Sequence, residues 1–259
     1  KGGHGIVDMQ KSIVESCDTY YYLLARDMGV NMMHDFMKPL GFGQITGIDL
    51  QGEARGVLPS TEWKKNTFKK PEQQKWYEGE TISLGIGQGY NAFTILQLAH
   101  AMANVANNGI VMKPHLVKAI EDPFTRNRVL TTPKESYRID LNAENIEVIK
   151  KAMLEVNISG TSAAAFKGTG YQVGGKTGTA QVFSLNSKEY KHSATAEFLR
   201  DHALYIAFAP VDKPTIVIAM VVENAGFGAQ YAAPIARKAL DYYIEGKWPK
   251  EIPEWKRAP

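Results

Sequence analysis

Hydrophobic positions recur along this chain with a helical period over most of its length and an extended period near its end, with turn-rich stretches between. Val7 to Met28 reads as two short helical pieces broken near Ser16, with Gly29 as a stop and Leu23, Leu24 and the tyrosines as the apolar face. Residues 41 to 90 are rich in Gly and turn signals; Pro59-Ser60-Thr61-Glu62 proposes a helix start and Pro71 to Glu80 a surface loop. Thr94 to Asn107 predicts a helix with Ile95, Leu98, Ala99, Met102 and Val105 on one stripe, closed by Asn108-Gly109. Ala143 to Val156 repeats the pattern through Ile146, Ile149, Met153 and Val156.

From Tyr171 the period changes. Gln172 to Phe183, His202 to Ala209 and Thr215 to Glu223 read as consecutive antiparallel strands, the last two separated by Pro210-Val211-Asp212-Lys213-Pro214. The polar segment Ser184 to Arg200 is a candidate mobile flap or a plain solvated hairpin, and Ala229 to Ile244 a final helix. Helices, then strands, then a helix imply a mixed α/β domain of the α+β type with an antiparallel sheet, without internal repeat.

At 259 residues and 44% apolar content the chain fits one large domain with a buried core. Its longest apolar run, Ile216 to Val222, is too short to span a bilayer. A net charge of +3 is too small to imply nucleic acid, and Lys64-Lys65, Lys69-Lys70 and Lys247 to Arg257 are expected on solvated surface. With one Cys no intrachain disulfide can form, so cysteine usage does not decide the compartment.

The chemistry concentrates in Lys176-Thr177-Gly178-Thr179, preceded by Gly174-Gly175 and followed by Ala180-Gln181-Val182. A cation and two hydroxyls on an extended apolar stretch suit a strand that binds a carboxylate, and Gly178 leaves room for a substrate backbone. K-T-G gains weight when joined to a Ser-x-Asp or Ser-x-Asn element. Ser16-Cys17-Asp18 supplies one far upstream.

With these two elements the chain resembles the penicillin-binding protein 2 family, class B transpeptidases of bacterial cell elongation. Further stretches carry the likeness in the family's order: Thr46-Gly47-Ile48-Asp49-Leu50, Ile86-Gly87-Gln88-Gly89-Tyr90, Gly160-Thr161-Ser162-Ala163 and Leu199-Arg200-Asp201-His202. Asp18, where septal relatives usually carry Asn, favours the elongation type. The resemblance implies the penicillin-recognising serine-enzyme fold, an antiparallel sheet flanked by helices. It also implies roles: Ser16 hydrogen-bonds the nucleophile's Lys and helps pass a proton to the leaving D-alanine, Lys176 holds the site positive, and Asp18 orders the cleft. Thr177 and Thr179 would bind the carboxylate of a peptidoglycan stem peptide or of a β-lactam antibiotic, with Gly178 between them. The Thr179 N–H would form half of the oxyanion hole. Gln88 and Tyr90 are candidate cleft lining, or a turn entering a helix.

No Ser in the chain has a Lys three residues on, so the S-x-x-K nucleophile is absent from it. The chain is therefore expected to be the C-terminal part of a transpeptidase domain, inert alone, completed by an N-terminal part of the same domain. The family implies an anchor placing the enzyme on the periplasmic face of the bacterial inner membrane, a membrane glycosyltransferase partner and elongation-complex scaffold proteins. Catalysis requires no cofactor in this family, although many members are thought to hold a structural zinc through two Asp, a His and a Cys; His4 and Cys17 have the matching interval, and the two Asp would precede Lys1. The ordinary readings of a lone His and a lone Cys stay open beside it. Two other functional readings remain: a penicillin-recognition or sensor domain that binds without turnover, and a serine β-lactamase, whose deacylating base no motif singles out among Asp49, Glu53, Glu62, Glu72 and Glu78.

Overall fold

The computed structural model describes residues 3–182 and 195–251, so most of the segment read as a flap lies outside the described residues. The chain divides into two compact units, Lys1–Tyr20 with Glu147–Pro259, and Tyr21–Ile146.

Two helices flank Ser16. Helix α1 (Met9–Val14) is capped by the Asp8 carboxylate, which accepts the Lys11 N–H at 2.8 Å, and α2 (Asp18–Met37) follows. Gly29 kinks α2 with φ 73° and does not stop it, so the helical chain runs on to Met37. The break at Ser16 is real, because that residue takes a left-handed φ of 53°.

The unit Tyr21–Ile146 holds α3 (Thr61–Thr67), α4 (Pro71–Gln74), α5 (Glu78–Gly85) and α6 (Ile95–Ala106). Ser60 caps α3 by accepting the Trp63 N–H at 3.0 Å. The span 71–80, expected as a surface loop, forms α4 and the start of α5. Two small antiparallel sheets follow, β1 (Ile110–Met112) with β4 (Glu135–Arg138) and β2 (Ala119–Glu121) with β3 (Arg128–Leu130). Their strands are too short to leave a period in the sequence.

Helix α6 corrects the expected stripe. Met102 is buried, but Ile95, Leu98, Ala99 and Val105 are only partly so, and the most buried side chains are the amides Gln97 and Asn104. Gln97 Nε2 donates to the Gln44 and Arg55 carbonyls, each at 2.6 Å, and Asn104 Nδ2 to the Leu40 carbonyl at 3.2 Å. These bonds pin an irregular chain that has no ladder of its own to satisfy its buried carbonyls.

Lys64 is a second correction, since it is not surface but 3% exposed. Its ammonium pairs with Glu80, donates to the Lys75 carbonyl at 2.7 Å and lies 5.3–5.5 Å from the ring centroids of Trp76, Tyr77 and Tyr90. A buried cation needs such a shell of acceptors and aromatic faces. Tyr90 donates to Glu80 at 3.0 Å and packs against Trp63, Phe68 and Trp76, so its place is this cluster within the Tyr21–Ile146 unit.

The other unit contains most of α7 (Ala143–Ile158), then α8 (Ala163–Phe166) and an antiparallel sheet in the order β5 (Gly174–Ala180), β6 (His202–Ala209), β7 (Ile216–Val222). Thr177 faces Tyr205, and Tyr205 faces Met220. The three strands and their antiparallel order match the expectation. Helix α9 (Ala232–Glu245) lays Ala232, Ala233, Ala236 and Leu240, all fully buried, into a core with Tyr205, Ala207, Ala209 and Phe166. Small side chains on both surfaces let helix and sheet approach closely.

Candidate active site

Strand β5 is held from below by aromatic rings. A Cβ on Gly174 would stand 2.4 Å from Phe208 Cζ, and one on Gly175 2.0 Å from Tyr205 Oη, so only glycine fits where the strand lies on β6. Tyr205 donates to Asn157 Oδ1 at 2.7 Å, Ser162 donates to the same oxygen at 2.6 Å, and Asn157 Nδ2 donates to the Val173 carbonyl at 2.7 Å. The network is buried and ties α7 to the residue just before β5. Lys176 thus emerges from a fully anchored base.

At Lys176 the strand meets the α1–α2 junction. Lys176 Nζ donates to Ser16 Oγ at 2.5 Å and to the Thr177 carbonyl at 3.1 Å. Ser16 lies where a non-glycine residue is uncommon, a conformation that costs on the order of 1 kcal/mol and persists only when surroundings impose it. Its neighbours are fixed: Cys17 is buried, its N–H donates to the Ser12 carbonyl at 2.9 Å, and the fully buried Ser12 donates to the Met9 carbonyl at 2.7 Å. Gly160 completes the junction, because a Cβ there would come 2.6 Å from the Val14 carbonyl oxygen.

Burial pushes the Lys176 ammonium down to about 8, and the charge of Asp18, at the start of α2, holds it from falling further. Near neutrality this lysine can carry a charge or take up and release a proton. A hydroxyl in contact with such a group is poised for proton transfer.

Successive side chains of β5 alternate faces, Lys176 and Gly178 on one and Thr177 and Thr179 on the other. Among the described strands β5 pairs only with β6, which leaves its other edge open. Thr177 Oγ1 lies 2.9 Å from Thr161 Oγ1, a partner that the sequence reading had not named as a site residue. Gly228 packs closely on this strand pair: a Cβ on Gly228 would lie 2.3 Å from the Gly178 carbonyl oxygen and 2.4 Å from that of Leu204.

His4 Nδ1 lies 3.9 Å from Glu15 Oε2, and among the described residues no three His, Cys, Asp or Glu side chains cluster as a metal site would require. His4 and Cys17 would supply two of the four donors that a structural zinc needs.

A strand carrying Lys-Thr-Gly-Thr, its lysine bonded to the serine of a Ser-Cys-Asp element, joins two of the three elements of a penicillin-recognising site. The model of the penicillin binding protein transpeptidase domain matches residues 1–241. The chain belongs to this family. It is 43% identical to the peptidoglycan D,D-transpeptidase MrdA of Haemophilus influenzae over 258 residues, which cover 96% of this chain and 38% of that relative. The corresponding enzyme of Acinetobacter baumannii is 44% identical over 247 residues, 94% of this chain and 35% of the relative. Among solved structures, Pseudomonas aeruginosa PBP2 in complex with WCK 5153 superposes with a TM-score of 0.76 at 36% identity, covering 96% of this chain and 52% of that one. The chain therefore spans well under half the length of these curated relatives, and its α+β architecture is that of penicillin-binding transpeptidase domains.

Proposed function

We propose that this chain supplies the proton-transfer and carboxylate-binding side of a peptidoglycan D,D-transpeptidase site, and that the nucleophilic serine and its S-x-x-K lysine come from sequence outside it. The observation that carries the reading is the Lys176–Ser16 hydrogen bond joined to the hydroxyl-bearing edge of β5.

In this reading the incoming serine attacks the carbonyl between the last two D-alanines of a stem peptide, a C–O bond forms, and the C–N bond to the terminal D-alanine breaks. The attacking serine's proton goes to the S-x-x-K lysine and is relayed through Ser16 to the departing amine, with Lys176 adjusting the charge beside it. Thr177 and Thr179 bind the D-alanine carboxylate, and the Thr179 backbone N–H helps hold the oxyanion. Attack by the amine of a neighbouring stem then forms the cross-link and frees the serine. A β-lactam, whose carboxylate takes the same place, stops at the acyl-enzyme. Asp18 keeps Lys176 protonated across more of the neutral range. No cofactor enters these steps.

In this reading the enzyme acts at the periplasmic face of the inner membrane, anchored there and working beside a membrane glycosyltransferase. A role in cell elongation accords with the MrdA relatives and with a related PBP2 from Helicobacter pylori, 27% identical, solved as a complex with MreC. The test is D-alanine release. The full-length polypeptide, given a pentapeptide ending in D-Ala-D-Ala and an amine acceptor, is expected to release D-alanine and form the amide product. Absence of both D-alanine release and penicillin labelling would contradict the reading.

A further inference from the structure

We propose that Thr161 is a positioning residue for the carboxylate subsite, acting through Thr177; the inference rests on the transpeptidase reading. The two hydroxyl oxygens are 2.9 Å apart, within hydrogen-bond distance, although sixteen positions separate them in sequence.

Thr161 is held by both of its neighbours. Before it, Gly160 sits where a Cβ would collide with the Val14 carbonyl oxygen at 2.6 Å and with Val156 Cα at 2.7 Å, so the chain turns tightly off the end of α7 against α1. After it, Ser162 is 1% exposed and donates to Asn157 Oδ1 at 2.6 Å. Asn157 also receives Tyr205 from β6, the strand register partner of Thr177. One buried network thus fixes both the backbone carrying Thr161 and the strand carrying Thr177. Thr161 itself is exposed, so its hydroxyl is not needed to satisfy a buried group.

A hydroxyl has one proton and two lone pairs. When Thr161 donates to Thr177, the Thr177 oxygen is occupied as an acceptor and its own proton is directed away from Thr161, free for a substrate carboxylate. A bond received by a hydroxyl also strengthens the bond it gives. A carboxylate accepts and never donates, so this orientation is the one a carboxylate-bearing substrate selects. A neutral ester in the same place draws much less from an oriented donor.

The test uses the full-length polypeptide and compares acylation rate constants for benzylpenicillin and its methyl ester in the wild type, Thr161→Val, Thr161→Ala and Thr161→Ser. Thr161→Val and Thr161→Ala are expected to slow the acid roughly tenfold while leaving the ester nearly unchanged, and Thr161→Ser to restore the preference for the acid. Equal slowing of acid and ester would indicate a merely structural role and overturn the inference, as would wild-type rates in both variants. If the wild type itself is not acylated, the transpeptidase reading fails and the inference falls with it, an outcome distinct from the other two.

Discussion

Lys176 and Ser16 are joined by a 2.5 Å hydrogen bond across 160 positions of sequence. The bond links an edge strand to a helix junction, and it places a hydroxyl against an amine that burial brings down to about 8. Removing either partner should damage proton transfer and leave the fold intact. Ser16→Ala and Lys176→Ala in the full-length polypeptide are expected to slow penicillin acylation by roughly a hundredfold to ten-thousandfold, with melting temperatures little changed. Stopped-flow acylation beside thermal melts checks this.

The pH dependence follows from the same lysine. An isolated lysine keeps its charge to about 10.5, but this one is held down to about 8 by burial, so its charge is lost as pH rises through about 8. Acylation by an anionic β-lactam should therefore fall on that alkaline side. Because Asp18 raises the lysine, Asp18→Asn should move the alkaline limb to lower pH. Rate profiles of the two proteins between pH 6 and about 10 decide it.

Gly228 should tolerate no side chain. The Cβ of Gly228→Ala would meet backbone oxygens of Gly178 and Leu204 at 2.3 and 2.4 Å, and neither oxygen can move without disturbing β5 or β6. A loss of roughly 1–3 kcal/mol, together with weakened penicillin binding, is expected. Denaturant unfolding and labelling measure the two effects separately.

The motif residues were legible because a few spaced side chains in a fixed order define such a site. Ser16, Asp18, Lys176, Thr177, Gly178 and Thr179 could be named as candidates from their motifs alone; the structure brings Ser16 to Lys176, and the helix break at Ser16 followed from the pattern around it. Thr161 was on view in Gly160-Thr161-Ser162-Ala163 but carried no signal of its own, since its meaning depends on which strand lies beside it. Gly174-Gly175 had the opposite character: the pair was visible, but its reason, two aromatic rings of β6, was not. Hydropathy misplaced Lys64 and gave no sign of the buried Gln97 and Asn104, since a polar residue is read as surface unless its partners are known. Those of Gln97 lie 53 and 42 positions away.

Lys64 makes that last point measurable. Lys64→Met would leave Glu80 without its cation in a largely buried setting and is expected to destabilise the protein by roughly 3 kcal/mol or more. Lys65→Met, at the adjacent exposed position, should change stability by less than about 0.5 kcal/mol. Paired unfolding curves test the contrast.

The central claim is that these residues complete a site whose nucleophile lies elsewhere. Its most direct test is to treat the full-length polypeptide with a penicillin and locate the adduct by peptide mass spectrometry. The account predicts one penicilloyl group on a serine of an S-x-x-K sequence outside these 259 residues, formed far more slowly when Ser16 is alanine. An adduct on a serine within this chain, or an adduct formed at an unchanged rate without the Ser16 hydroxyl, would contradict it.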